Sequence, residues 1–183
     1  MNKGLGRGHV GVLLGLLLAW TASDFAAAQP PVMAYELGTR ASSGDGFDGQ
    51  SLYARWPAKW LQRHWLNNDA NAAWQARWDI SVAQWDSTPK DIAFIAAGPV
   101  VEWRLADAPW RVSLGVQPTL ISNHDDAGKD LGGPVQFTSH LSLAWAPAEA
   151  LIIGLRAQHT SNARIYDENP GVDQVGVEIG IPF

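Results

Sequence analysis

Apolar and polar residues alternate with a period of two along most of this chain. In "WQARWDISVAQW", Trp74, Ala76, Trp78, Ile80 and Val82 fall on one face, and Gln75, Arg77, Asp79 and Ser81 on the other. "WRVSLGVQPTL" sets Trp110, Val112, Leu114 and Val116 against Arg111, Ser113, Gly115 and Gln117. "VQFTSHLSLAW" and "DQVGVEIGIPF" repeat the pattern, the latter with Val175, Val177, Ile179, Ile181 and Phe183 on its apolar face. A period of two held over about ten residues marks a half-apolar β-strand and is the pattern of a transmembrane barrel.

Eight such segments are predicted, at 32–39, 50–57, 74–85, 91–105, 110–121, 134–146, 150–161 and 173–183. An even number of antiparallel strands closes into a barrel and leaves no unpaired edge in lipid. Eight strands enclose a space that side chains fill, without a pore. The expected interior row includes Arg77, Asp79, Arg111, Gln117, Arg156, Gln158 and Glu178, which burial would force into a paired network. The fold class is therefore all-β, an eight-stranded antiparallel transmembrane barrel of the bacterial outer membrane. A soluble two-sheet sandwich is the rival all-β reading.

The N-terminus points to export. Lys3 and Arg7 precede the apolar run Val10–Trp20, and Ala26, Ala27 and Ala28 supply a cleavage signal. Residues 1–28 are expected to be a signal peptide, and 29–183 the barrel that carries the active site. No later segment has enough consecutive apolar residues for a membrane helix. The chain has no cysteine, so stability must come from a core or a membrane. A net charge of −5 without a basic patch argues against nucleic acid. With both termini in the periplasm, 107–109 and 147–149 are tight periplasmic turns, and 40–49, 122–133 and 162–172 are longer outer loops. Ala58–Ala73 is long for a periplasmic turn; it extends the flanking strands or forms a short interfacial helix. Trp56, Trp60, Trp74, Trp110 and Trp145 lie near strand ends, where aromatic girdles form. Phe183 resembles the terminal aromatic signal read by the barrel-assembly machinery, an expected partner.

One face carries a chemical oddity. In the seventh segment Leu151, Ile153, Leu155 and Ala157 share a parity, and His159 and Ser161 continue it, onto the lipid side. Residues i and i+2 on a strand lie about 6.6 Å apart at Cα, so the imidazole and the hydroxyl are within reach. Asp173 shares the outward parity of the eighth segment, across the hairpin. Serine, histidine and a carboxylate supply a nucleophile, a base and an orienting group. H-x-S alone has little specificity, and a polar strand end at the headgroup region is the competing reading. Uncompensated polar groups on a lipid face cost free energy, which favours function.

The run "QHTSNA…NPG" (Gln158–Ala163, Asn169–Gly171) followed by a carboxylate resembles the end of the PagL-type lipid A deacylases. "GGPVQFTSHLSLAW" (Gly132–Trp145) is similar to the preceding strand of that family. The resemblance implies an outer-membrane esterase that removes the ester-linked acyl chain at the 3-position of lipid A. It makes Ser161 the nucleophile, His159 the base and Asn162 a contributor to the oxyanion hole, with no metal or other cofactor. The family's acid is a glutamate; this chain has Asp173, and Asp167 and Glu168 are loop alternatives, whereas Glu178 has the wrong parity. The substrate partner is lipid A, or lipopolysaccharide, in the outer membrane. The alternatives are a phospholipase of the same membrane and a non-catalytic structural or adhesion barrel. Elsewhere, "NHDD" (Asn123–Asp126) offers possible cation ligands, His140 is expected to be a hydrogen-bonded interior residue, and His64 supports nothing.

From Leu151 to Ser161 the rise is about 25 Å, from steps of about 3.3 Å at a tilt near 40°. Ser161 is therefore expected at the outer headgroup boundary, level with the acyl esters of lipopolysaccharide.

Overall fold

The computed structural model describes residues 35–66, 73–86, 90–105, 108–126, 128–148 and 151–183. The expected signal peptide, 1–28, lies outside them. Eight long strands form the barrel: β1 (Glu36–Gly44), β2 (Phe47–Pro57), β3 (Trp74–Asp86), β4 (Ile92–Arg104), β5 (Trp110–Ile121), β8 (Val135–Ala148), β9 (Leu151–Ser161) and β10 (Val172–Pro182). Two-residue strands β6 (Asp125–Asp126) and β7 (Lys129–Asp130) form a small hairpin in the connection after β5. The long strands pair antiparallel in the closed order β1-β10-β9-β8-β5-β4-β3-β2.

Closure puts one parity of every strand inside. The middle of the interior is ionic. Asp79 accepts from Arg55 at 2.7 Å, and Arg40 also pairs with it; Glu178 pairs with Arg55 at 3.2 Å and Arg40 at 3.3 Å. Nearer the periplasm Glu36 and Glu102 face Arg77 and Arg111 at 3.5–3.8 Å. Each of these side chains is almost fully withdrawn from solvent, so pairing is what makes the charges tolerable there. The sequence pattern predicts this network, although Glu36, Arg40, Arg55 and Glu102 join it from strands whose alternation is less regular. The outer mouth closes differently: Phe47, Trp85, Ile92, Ile121, Leu131 and Val172 pack into an apolar plug. An interior void of about 20 Å³ beneath it has room for about one water, so among the described residues side chains fill most of this part of the barrel. Any chemistry must then work from the loops or the outer wall.

The outer wall is apolar. Leu52, Val82, Leu114, Leu120, Leu141, Leu155 and Val177 are all exposed. At the periplasmic end Trp74 stacks on Trp103, with ring centroids 5.6 Å apart, and Trp110 is paired in register with Trp145. These rings form the girdle that anchors a barrel at the inner headgroups.

One expectation changes, and one open alternative is decided. The connection 40–49 is not a long outer loop: β1 and β2 continue through it and meet in the two-residue turn Asp45–Gly46. Asp45 (φ 52°) and Gly46 (φ 86°) both take positive φ, the geometry of a tight hairpin whose twist suits its strands. The small residues of "SSGDGFDG" read as a loop but serve close packing, since a Cβ on Gly49 would stand 2.9 Å from the Trp85 ring. The segment after β2 resolves as a short helix, α1 (Lys59–Leu61), running into a wider π-type turn at Gln62–Leu66. Gln62 turns inward, donating to the Trp74 carbonyl at 3.1 Å and accepting from the Ala76 N–H at 2.6 Å. Trp60 and Trp65 stay exposed, and His64 stacks on Trp60.

Candidate active site

The site is built on β9 and completed by its neighbours. Leu155, Ala157 and His159 are exposed on the outer wall, whereas Arg156 and Thr160 are buried. Ser161 follows His159 on the same row and is half-buried. Across the β9–β10 ladder His159 is paired directly with Asp173; on the β8 side its partner is Ser139, and Ser161 faces Phe137. The acid therefore stands opposite the histidine rather than diagonal to it, and the His159 Nδ1 to Asp173 Oδ1 distance is 2.7 Å. A carboxylate at Nδ1 holds the proton there and leaves Nε2 as the basic nitrogen. The pair is on the surface, with side chains 48% and 76% exposed.

Gly171, just before β10, takes φ +67° and lies against the imidazole, where a Cβ would come within 2.7 Å of Cε1. The glycine of "NPG" thus supplies both a left-handed turn and space for the ring.

Asn162 is placed differently from the expectation. It is fully buried, and its Nδ2 donates to the carbonyls of Leu131 (2.9 Å) and Glu168 (2.5 Å). Its Oδ1 accepts the Arg164 N–H at 2.8 Å, and its own N–H donates to Asn169 Oδ1 at 3.0 Å. Both amide protons are committed, so this side chain organises the loop instead of facing an oxyanion. The turn it holds is tight: Ala163 and Arg164 both have positive φ. In residues 162–165 the N–H groups of Asn162, Arg164 and Ile165 donate within the loop, and that of Ala163 has no partner among the described residues.

The other carboxylates sort clearly. Glu178 is inside the barrel and bound to arginines. Glu168 takes part through its backbone carbonyl. In the "NHDD" run, His124 Nδ1 lies 3.4 Å from Asp130, and Asn123 donates to the Asp125 carbonyl. Among the described residues no group of three metal-ligating side chains occurs. His140 points inward as expected, but its ring nitrogens have no hydrogen-bond partner among the described residues.

Below the histidine an open groove of about 700 Å³ runs down the outer wall. Its lining includes Ser139, Leu141, Ala157, His159, Asp173 and Val175. The small side chains of Ser139 and Ala157 make the depression, and the leucine and valine give it apolar sides. Sequence reasoning missed Asp45 and Lys129, which reach this site from other loops: Asp45 Oδ2 accepts the Asp173 N–H at 2.9 Å and lies 3.0 Å from Lys129 Nζ. No local signal in the sequence joins these distant positions.

Comparisons with known proteins agree with this architecture. The model of the family Lipid A 3-O-deacylase (PagL) matches residues 48–182. A lipid A deacylase PagL of Bordetella bronchiseptica is 26% identical over 170 residues, covering 89% of this chain and 90% of the relative. A crystal structure of the outer membrane enzyme PagL superposes with a TM-score of 0.69 at 17% identity, covering 81% of this chain and 99% of that one. Neisserial surface protein A (NspA) shares the fold at a TM-score of 0.51 and 8% identity, over 83% of this chain and 97% of its own. The match over residues 48–182, the greater part of the chain, places this protein in the lipid A 3-O-deacylase (PagL) family.

Proposed function

We propose that Ser161, His159 and Asp173 form the catalytic triad of an outer-membrane lipid A 3-O-deacylase that works from the lipid-facing wall. Family membership makes the protein an ester-hydrolysing enzyme of the outer membrane. The observation that carries the triad is the 2.7 Å contact between His159 Nδ1 and Asp173, made outside the barrel on the row of β9 that Ser161 continues. In the reaction, His159 Nε2 takes the Ser161 proton as the hydroxyl oxygen attacks the acyl carbonyl. The imidazolium is stabilised by the Asp173 carboxylate. The backbone N–H of Ala163 receives the developing oxyanion, an interaction worth roughly 3–4 kcal/mol in other hydrolases. Collapse breaks the ester bond, and His159 hands its proton to the departing 3-position alcohol. Water, activated by the same nitrogen, then releases the fatty acid from Ser161.

The groove below His159 suits the acyl chain being cut, and the outer end of β9 suits lipid A. β1 ascends from the periplasm, so β9 ends on the outer side, where lipopolysaccharide forms the leaflet. Phospholipid normally occupies the opposite leaflet, about 25 Å away. The test uses the purified, folded protein in detergent micelles with either lipid A or phospholipid. Release of a hydroxy fatty acid from lipid A, lost in Ser161→Ala, is expected. Lysophospholipid from the phospholipid arm with intact lipid A would transfer the site to phospholipase chemistry.

A further inference from the structure

We infer that Asp45 and Lys129, on two loops remote in sequence, form a brace that positions Asp173 and His159 for the reaction; this rests on the triad reading. Asp45 sits in the β1–β2 turn, and its Oδ2 accepts the backbone N–H of the catalytic acid at 2.9 Å. Lys129, on the β6–β7 hairpin, donates from Nζ to the same carboxylate oxygen at 3.0 Å and to the Gly171 carbonyl at 3.2 Å. The two contacts therefore grip the chain on either side of Val172. Gly171 is the residue packed against the imidazole, and Asp173 is its hydrogen-bond partner. What the brace fixes is the peptide that carries both.

The approach of the first turn is close. A Cβ on Gly44 would stand within 3 Å of the Gln174 Cα, so only glycine lets the turn lie on β10 here. The carboxyl of Asp45 is held below the ordinary carboxylate range, first by the Asp173 N–H and then by Lys129. At neutral pH the brace is accordingly a formed ion pair. An exposed pair of this kind adds little to global stability. Its location indicates what it does instead: both triad members that are not the nucleophile depend on the same three residues of backbone. The charged and titratable groups of this cluster are Asp173 on β10, beside His159, and Asp45 on the turn with its partner Lys129 on the hairpin; β8 contributes the neutral Ser139.

The experiment measures kcat and KM on lipid A in micelles for the full-length protein and the variants Asp45→Gly, Lys129→Met, Lys129→Arg and the double variant Asp45→Gly/Lys129→Met. Asp45→Gly keeps a residue at ease with positive φ, so the turn survives, and heat-modifiable mobility verifies folding of each variant. Each of Asp45→Gly and Lys129→Met is expected to lower kcat about tenfold with KM nearly unchanged, as misplacement of a catalytic group does. Lys129→Arg, which still donates to both acceptors, should recover most of the rate. The double variant should be no slower than the worse single one, because both residues act through one linkage. A raised KM with kcat intact would make Lys129 a substrate contact and overturn the brace; so would unchanged kcat or fully additive losses. Ser161→Ala in the same assay separates the two ideas: activity that survives it removes the triad, whereas its loss beside unaltered Asp45 and Lys129 variants removes only the brace.

Discussion

His159 and Asp173 oppose each other at paired strand positions, so the ladder register brings the two side chains together at the end of the sheet. Asp173→Asn should fold normally and lower kcat by as much as about 10⁴-fold, because the protonated imidazole loses its stabilising charge. Asp167→Asn and Glu168→Gln should change kcat little; steady-state rates of the three variants compare them directly. If Glu168→Gln proves the damaging change, the acid is misassigned. Parity drew attention to His159, Ser161 and Asp173 in the sequence, since three polar residues interrupt apolar rows, and the family resemblance gave Ser161 and His159 their expected roles. The position of Asn162 was not visible. It follows Ser161 immediately, and its burial is decided by Leu131 and Glu168 folding over it from elsewhere. Asn162→Ala strands those two carbonyls, at a cost of about 1–3 kcal/mol for each that becomes unpaired. The expected result is faster amide exchange across residues 163–169 and a lower kcat, in a barrel whose other strands stay protected.

At the scale of elements, the strands were legible and their ends were not. Alternation marks β3, β5, β8 and β10 because each has one polar and one apolar face. It faded at residues 40–49, where Ser42, Ser43, Gly44 and Gly46 carry little hydrophobic contrast even though the backbone remains paired. The helix after β2 stood as only one of two alternatives for a related reason: it is too short to show a helical period. The loop between β9 and β10 does its work through backbone shape. Gly171→Ala places a Cβ within 2.7 Å of the His159 ring at a φ of +67°. Left-handed strain alone costs about 1–2 kcal/mol. The ring must also move, so kcat should fall while heat-modifiable mobility stays normal. Unchanged kcat in a folded Gly171→Ala variant would mean that the ring has slack this packing denies.

For the molecule as a whole, the charged network and the proposed triad occupy opposite sides of one wall. The interior holds Arg40, Arg55, Asp79 and Glu178 in a closed ionic cluster, and the outer surface meets lipid. Sequence parity told which residues lie inside; the pairings depend on strand order and stagger, which alternation does not encode. Asp79→Asn leaves Arg40 and Arg55 partly uncompensated and should cost about 3–5 kcal/mol, read as a lower midpoint in urea unfolding from detergent micelles. Activity below that midpoint should be nearly unaltered, because the site is on the other face. The central claim is that a Ser–His–Asp triad on the outer wall removes an acyl chain from lipid A. The most direct test is mass spectrometry of lipid A from cells producing the folded protein, compared with cells producing Ser161→Ala at equal level. The account predicts lipid A lighter by one hydroxyacyl chain in the first and fully acylated lipid A in the second; fully acylated lipid A in both, or the lighter species in both, would contradict it.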